Sequence, residues 1–202
     1  SSPIKTLKDL NGKTIAYSTA GSSTESVVRA FIKENGLTAK PVSTGGAPST
    51  LTAVMTDQVD AGWASPPGGL KEMDEGKIRL LARATDAAIV RGQTIRTIVA
   101  NADVLQKRKN VVERYMQAYR DTIDYMYSDD PQVFKDYAAF AGVSEATAKR
   151  VRDEFFPRAL VMPDEIKGLD SLMADAVELK FISAPLSKDK IADLVQLQLA
   201  KK

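Results

Sequence analysis

Two short runs hold the densest hydrogen-bonding chemistry in this sequence. Gly21-Ser22-Ser23-Thr24, preceded by Ser18 and Thr19, and Ser43-Thr44-Gly45-Gly46 both combine hydroxyls with glycines, and both lead directly into stretches with helical apolar spacing. The first N–H groups of a helix have no partner within it, and the aligned peptide dipoles leave a positive end there. Such a run therefore offers donors to a carboxylate, a sulfonate or a similar oxyanion. A helix end contributes about 0.3–1 kcal/mol and a hydrogen bond to a charged group about 1.5–3 kcal/mol. Three or four such contacts with some stacking reach about −8 kcal/mol, a micromolar dissociation constant. That is enough to capture a small molecule, whereas catalysis demands more.

The same residues admit a purely structural reading. Ser22 followed three positions later by Glu25 is a capping box, which consumes two of those donors. The run is also no phosphate loop, because it lacks the lysine of a Walker sequence and the glycine spacing of a dinucleotide site. Trp63, the single tryptophan, stands beside Ser65-Pro66-Pro67 near the end of a strand-like run. It is either a core residue or a flat wall for a ligand, with Ser65 as a neighbouring contact. Arg96 is either a counter-ion for an anion or a surface residue. Asp57 and Asp60 are expected to face solvent or cap neighbours, and no carboxylate pair has the setting of an acid/base dyad.

The 202 residues include no cysteine and no histidine. This removes thiol nucleophiles, Ser-His-Asp catalysis and imidazole or thiolate metal sites, so no cofactor, metal or enzymatic activity is expected. Lys and Arg total 28 against 26 acidic residues, a net charge of +2. The densest basic run, Lys107-Arg108-Lys109, is followed by Glu113 and has no interleaved aromatic stripe, so nucleic acid is not an expected partner. A hydrophobic fraction of 44% with 27% charged residues fits a folded domain. No run of eighteen apolar residues occurs, and Ser1-Ser2-Pro3-Ile4-Lys5 lacks the segments of a signal peptide.

The elements that must position these runs alternate. Residues 13–18, 40–43, 59–64 and 78–84 read as strands, separated by helical stretches carrying Val27, Val28, Phe31 and Ile32, then Leu51, Val54 and Met55, then a short helix opened by Pro66-Pro67 and ending at Gly76. This is the pattern of βαβ units with a parallel sheet, whose ligands settle at the carboxyl ends of the strands. After one further strand at 95–100 the sequence is helical. Asn110 and Glu113 form a capping box above a stripe of Val112, Tyr115, Met116, Tyr119, Ile123 and Met126. Asp130-Pro131 starts another helix stopped by Gly142, with Phe134, Tyr137 and Ala138 inward. Ser144 caps the next, with Val151 and Phe155 inward and Pro157 beyond it; Leu169 to Val177 mark a further helix, and Ser187 opens the last. The stripe aromatics are expected to pack in a core. One strand with five helices makes no ordinary two-layer core, which points to missing strands upstream of Ser1 or on another chain.

Pro3 to Lys13, Gly21-Ser22-Ser23-Thr24, Asp57-Gln58-Val59-Asp60-Ala61 with Ser65-Pro66-Pro67, and the stretch from Thr97 through Asn110 to Tyr127 together resemble the nitrate/sulfonate/taurine type of substrate-binding protein from bacterial ABC importers. The resemblance implies a type II periplasmic-binding α/β fold, with one parallel-sheet lobe and a largely helical remainder of a second lobe. It implies a second lobe at residues 5–84, a crossover or hinge at 85–97 and a C-terminal part of the first lobe at 98–202, so that the chain is a carboxy-terminal portion of such a protein. The implied site is Gly21, Ser22, Ser23 and Thr24, with Gly45, Gly46, Trp63 and Ser65 beside them, and the implied ligand is a small, anionic solute. The implied partner is a membrane permease, and the implied location is periplasmic, or extracellular and membrane-anchored. Unpaired helix faces add an expectation of dimerisation or domain exchange. The rivals are an effector-binding domain of a transcription regulator, a partner-docking module, and a pyrimidine synthase of the same fold, which relies on histidine and a cysteine-rich segment absent here.

Overall fold

The computed structural model describes residues 2–94, 96–162 and 164–196. The chain divides into two compact units, Ser1–Ile95 and Arg96–Lys202.

In the first unit a 3-10 turn at Leu7–Leu10 precedes β1 (Thr14–Tyr17), α1 (Ser23–Glu34), β2 (Lys40–Ser43), α2 (Ala47–Met55) and α3 (Leu70–Asp74). β1 and β2 pair in parallel, with Thr14 opposite Lys40 and Tyr17 opposite Ser43. Successive side chains of a strand point to opposite faces, and β1 uses both. Ile15 packs with Val28 and Ile32 of α1, together with Ile4, Leu10 and Leu37. Ala16 packs on the other face with Ala53 and Val54 of α2 and with Val59. The sheet is therefore covered by a helix on each face, as expected for a parallel sheet.

The expected third strand reduces to a single bridge, Ile15 to Ala61. Two backbone bonds hold it, from Ala16 N–H to the Ala61 carbonyl at 2.8 Å and from Ala61 N–H to the Thr14 carbonyl at 3.1 Å. Beside the bridge a carboxylate takes over from the ladder: Asp60 accepts from the Thr14 N–H and hydroxyl at 2.9 and 2.8 Å. Gly62 then passes so close to α2 that a Cβ there would stand 2.4 Å from Thr50 Cγ2. For the same reason the buried face of α2 centres on the small residues Thr50 and Ala53, not on Leu51 and Met55.

Residues 78–84 form no strand either; Leu81 packs against the Ile15 cluster instead, and 3-10 turns at Ala84–Asp86 and Ala88–Val90 lead Ala87 and Val90 onto Ala30 of α1. Residues 96–100 also form no strand, and Ile95 lies outside the described residues. Both runs have strand composition but no neighbouring strand to complete a ladder within the described residues of their own unit.

The second unit contains α4 (Ala102–Lys107), α5 (Lys109–Met126), α6 (Gln132–Ala141), α7 (Glu145–Arg150), a π-helical turn at Val151–Phe155, α8 (Arg158–Val161), α9 (Leu169–Glu178) and α10 (Lys188–Leu194). The capping box at Asn110 is not formed. The cap lies one helix earlier, where the Asn101 side chain accepts from the Asp103 and Val104 N–H groups, and Asn110 sits inside α5. Gly142 ends α6 in the left-handed conformation, and Ser144 and Ser187 cap α7 and α10. Arg152 joins α5 to the helices after it: its guanidinium stacks 4.3 Å from the centre of the Phe134 ring and donates to the Met126 carbonyl at 3.0 Å. The stripe positions are only partly buried. Met116, Ile123, Val133, Ala138, Ala148 and Val151 are covered, Tyr115 is 57% exposed, and α9 and α10 bury no residue. The helical period is present in these elements without a facing layer to bury it.

Candidate functional site

The register of β1 and β2 sets their carboxyl ends side by side, and the loops that follow are joined to each other. Gly45 N–H donates to the Ser18 carbonyl at 2.9 Å, Thr44 N–H to the Tyr17 carbonyl at 2.9 Å and the Ser43 hydroxyl to the Ser18 carbonyl at 2.7 Å. Gly45 has φ +81°, a left-handed conformation that glycine adopts without strain. Beneath this junction Thr50, only 1% exposed, bonds the Thr44 hydroxyl at 2.7 Å and the Gly46 carbonyl at 3.1 Å. The N-termini of α1 and α2 consequently open on one edge of the sheet.

The donors at this edge divide into those spent on capping and those left for a ligand. The Ser22 hydroxyl accepts from Glu25 N–H at 3.2 Å, but the Glu25 carboxylate accepts from Gly21 N–H at 2.7 Å and Ser22 N–H bonds the Thr19 carbonyl at 3.2 Å, so only the serine half of the expected capping box is formed. The Thr24 hydroxyl takes the Ser18 N–H at 2.9 Å and lies 2.8 Å from the hydroxyls of both Ser18 and Ser22. Ser22, Thr24 and Gly21 are thus committed to shaping the loop. The N–H groups of Ser23 and Thr24 bond to no described residue, and the same holds for those of Gly46, Ala47 and Ser49 at α2, where Gly46 is the cap and Pro48 carries no N–H. These five N–H groups are the available donors. Ala47 and Ser49 lie outside the eight candidate residues, which in this loop stop at Gly46; Pro48 at the start of the helix is the sequence signal that places them in its first turn.

Electrostatics at the edge are nearly balanced. Glu25 is held below the usual carboxylate range, first by the Gly21 N–H and then by Arg29. Arg29 answers its charge with a contact of 2.6 Å. The positive character therefore comes from the two helix ends rather than from a free side-chain cation.

Trp63 lies two residues past the bridge at Ala61, toward the same edge, and is half-buried. Its indole N–H is shielded from solvent and meets no acceptor among the described residues. Ser65 is half-buried, and its carbonyl accepts from Gly68 N–H at 3.0 Å, closing the turn through Pro66-Pro67. Among the described residues no group of three or more acidic, histidine or cysteine side chains could hold a metal. No helix among them is long and apolar enough to cross a membrane.

A family model described as NMT1/THI5 like matches residues 1–132, which include the whole of this edge. The chain belongs to the NMT1/THI5-like family. A comparison with curated proteins finds no match. Among solved structures, the alkanesulfonate-binding protein SsuA from Xanthomonas axonopodis pv. citri bound to MOPS is similar at 20% identity with a TM-score of 0.72, over 98% of this chain and 67% of that one. The periplasmic aliphatic sulphonate binding protein SsuA from Escherichia coli is similar at 19% identity with a TM-score of 0.65, over 100% of this chain and 64% of that one. The fold is thus the α/β fold of the periplasmic binding proteins, and the chain spans about two thirds of the length of these structures.

The helical unit of this NMT1/THI5-like chain holds a cavity where the apolar spacing alone indicates core packing. A cavity of about 440 Å³ in the helical unit is lined by Tyr115, Tyr119, Tyr127, Tyr137, Arg152 and Phe156 with aliphatic neighbours. None of the eight candidate residues lines it.

Proposed function

We propose that this NMT1/THI5-like chain is a solute-binding component of an ABC importer that captures a small oxyanion and delivers it to a membrane permease. The carrying observation is the convergence of five unpartnered N–H groups, from Ser23, Thr24, Gly46, Ala47 and Ser49, at the joined carboxyl ends of β1 and β2. Backbone donors at two helix ends suit a sulfonate or carboxylate, since several such bonds share its charge without a titrating side chain. Gly21, Ser22, Thr24 and Gly45 shape this wall, Ser23 and Gly46 donate to the solute, and Trp63 with Ser65 flank it. In this reading residues 5–84 form one lobe of the binding protein, 85–97 the crossover and 98–202 part of the other lobe, and the protein works in the periplasm or on the outer face of a membrane. Membership of the family and the fold shared with two sulfonate-binding proteins support it. No residue set at the edge supplies a nucleophile or an acid/base pair, so the reading assigns binding and no reaction.

Thermal unfolding in graded ethanesulfonate, MOPS and nitrate tests this. A bound ligand raises the melting temperature in step with the logarithm of its concentration once saturating, at matched ionic strength. An equal melting temperature in all three and in chloride contradicts the proposal.

A further inference from the structure

Two of the four asparagines in the chain precede glycine, in Asn11-Gly12 and Asn35-Gly36, and both members of each pair are exposed. Asparagine is thermolabile through its side-chain amide, and a following glycine leaves the backbone nitrogen unhindered and the chain free to turn. Sequence and exposure rank the two pairs equally, but hydrogen bonding does not. The Asn11 carboxamide accepts from the Thr38 N–H at 3.0 Å and the Thr38 hydroxyl at 3.4 Å, and donates to the Lys8 carbonyl at 3.1 Å. The Gly12 N–H donates to the same Thr38 hydroxyl at 3.0 Å. Asn35 ends α1, and among the described residues its carboxamide bonds only the Phe31 carbonyl, at 2.9 Å. The Gly36 N–H reaches the Lys33 carbonyl at 3.3 Å, in the last turn, where a helix frays first. We infer that Asn35-Gly36 is a modification site at which the folded chain converts asparagine to aspartate and isoaspartate, while the fold protects Asn11.

The conversion needs only water and hydroxide. Hydroxide takes the proton from the Gly36 nitrogen, that nitrogen bonds to Asn35 Cγ, and the Cγ–Nδ2 bond breaks as ammonia leaves with a proton from water. Water then opens the succinimide ring at either carbonyl, giving aspartate from one side and isoaspartate from the other. For the ring to close, two hydrogen bonds give way at Asn35, and four give way at Asn11. Two further bonds of ordinary net strength correspond to a rate difference of about 10- to 100-fold. Either product places a carboxylate at the negative end of α1, beside Glu34. The Glu34 carboxylate accepts the Ala88 N–H at 3.0 Å and the Ile89 N–H at 3.4 Å. Isoaspartate also lengthens the backbone just before Leu37, whose N–H closes on the Ile32 carbonyl at 2.9 Å and whose side chain is buried with Ile15. Modification therefore loosens the end of α1 and its hold on the turn at Ala88–Val90.

The test incubates the 202-residue protein in mildly alkaline buffer and follows aspartate and isoaspartate at each asparagine by peptide mass spectrometry. In the folded protein Asn35 converts about 10- to 100-fold faster than Asn11. In urea the two pairs convert at comparable rates, because the bonds that separate them are gone. Thr38→Val removes the hydroxyl that holds Gly12 and Asn11, and it speeds Asn11 about tenfold in the folded protein. Hydrogen exchange at Ala88 and Ile89 is faster in the converted protein than in Asn35→Gln incubated alongside it. Equal rates at the two pairs in the folded protein overturn the inference. So does a difference of the same size in urea, or an Asn11 rate that Thr38→Val leaves unchanged. Unaltered exchange at Ala88 and Ile89 overturns the consequence for the turn at Ala88–Val90.

Discussion

At the scale of single residues, the first helical position is where ligand donors and helix caps come apart. Ser23 and Ala47 open α1 and α2, and the caps before them, Ser22 (φ −82°, ψ 158°) and Gly46 (φ −70°, ψ 167°), are extended. Extended backbone is what a residue preceding proline requires, and proline suits the first helical position. Ser23→Pro and Ala47→Pro therefore each delete one unpartnered N–H and leave the fold within about 0.5 kcal/mol of its stability. Each is expected to weaken ethanesulfonate binding by about 10- to 100-fold, the loss of one hydrogen bond to a charged group, measured by calorimetry. Ser22→Ala has the opposite signature: it costs about 1 kcal/mol of stability through the lost cap and leaves affinity within about threefold, because the Ser22 hydroxyl is already occupied. Gly62 is a packing counterpart. Its missing Cβ is required by Thr50 and Val54 of α2, at 2.4 and 3.1 Å from where that atom would stand. Gly62→Ala is expected to cost about 1–3 kcal/mol in denaturant unfolding.

At the scale of elements, the first unit is joined by carboxylates that accept backbone N–H groups. Asp60 is held below the usual aspartate range, first by the Thr14 N–H, and Asp9 by those of Lys5 and Thr6. Because their folded values lie below the unfolded ones, the stability they contribute is full above the unfolded aspartate value and is lost as pH falls through the folded one. Unfolding followed between pH 6 and about pH 2 should show stability declining through the acid limb, with a smaller pH-dependent loss in Asp60→Asn. An unchanged acid limb in that variant removes Asp60 from the account. The pairing of Asp60 with Thr14 also explains which elements the sequence disclosed. β1, β2, α1 and α2 were legible because strand composition, glycine turns and helical spacing coincide over each. The strand expected at 59–64 was not, because a side chain there takes ladder bonds that composition assigns to backbone. The runs at 78–84 and 96–100 share strand composition too, but a strand exists only where a neighbour pairs with it.

At the scale of the whole molecule, each unit accounts for a different part of the sequence reading. The α/β unit holds every proposed site residue, and the edge at which ligands settle in parallel sheets is where its unpartnered donors gather. Topology made that edge predictable, but not the split between capping hydroxyls and free N–H groups: Ser22 and Ser23 look alike in sequence, yet the Ser22 hydroxyl caps Glu25 while the Ser23 N–H meets no described residue. In the helical unit, Tyr115, Tyr119 and Tyr137 recur at spacings that read as core, yet they line a cavity of about 440 Å³. Periodicity reports which face of a helix is apolar and not what covers it. The central claim is that an oxyanion binds to the N–H groups at the starts of α1 and α2. An amide-resolved NMR titration with ethanesulfonate against sodium chloride at equal ionic strength tests it most directly. Saturating shifts confined to Ser23, Thr24, Gly46, Ala47, Ser49 and their neighbours are predicted, and saturating shifts confined to the tyrosine-lined cavity, or none anywhere, contradict it.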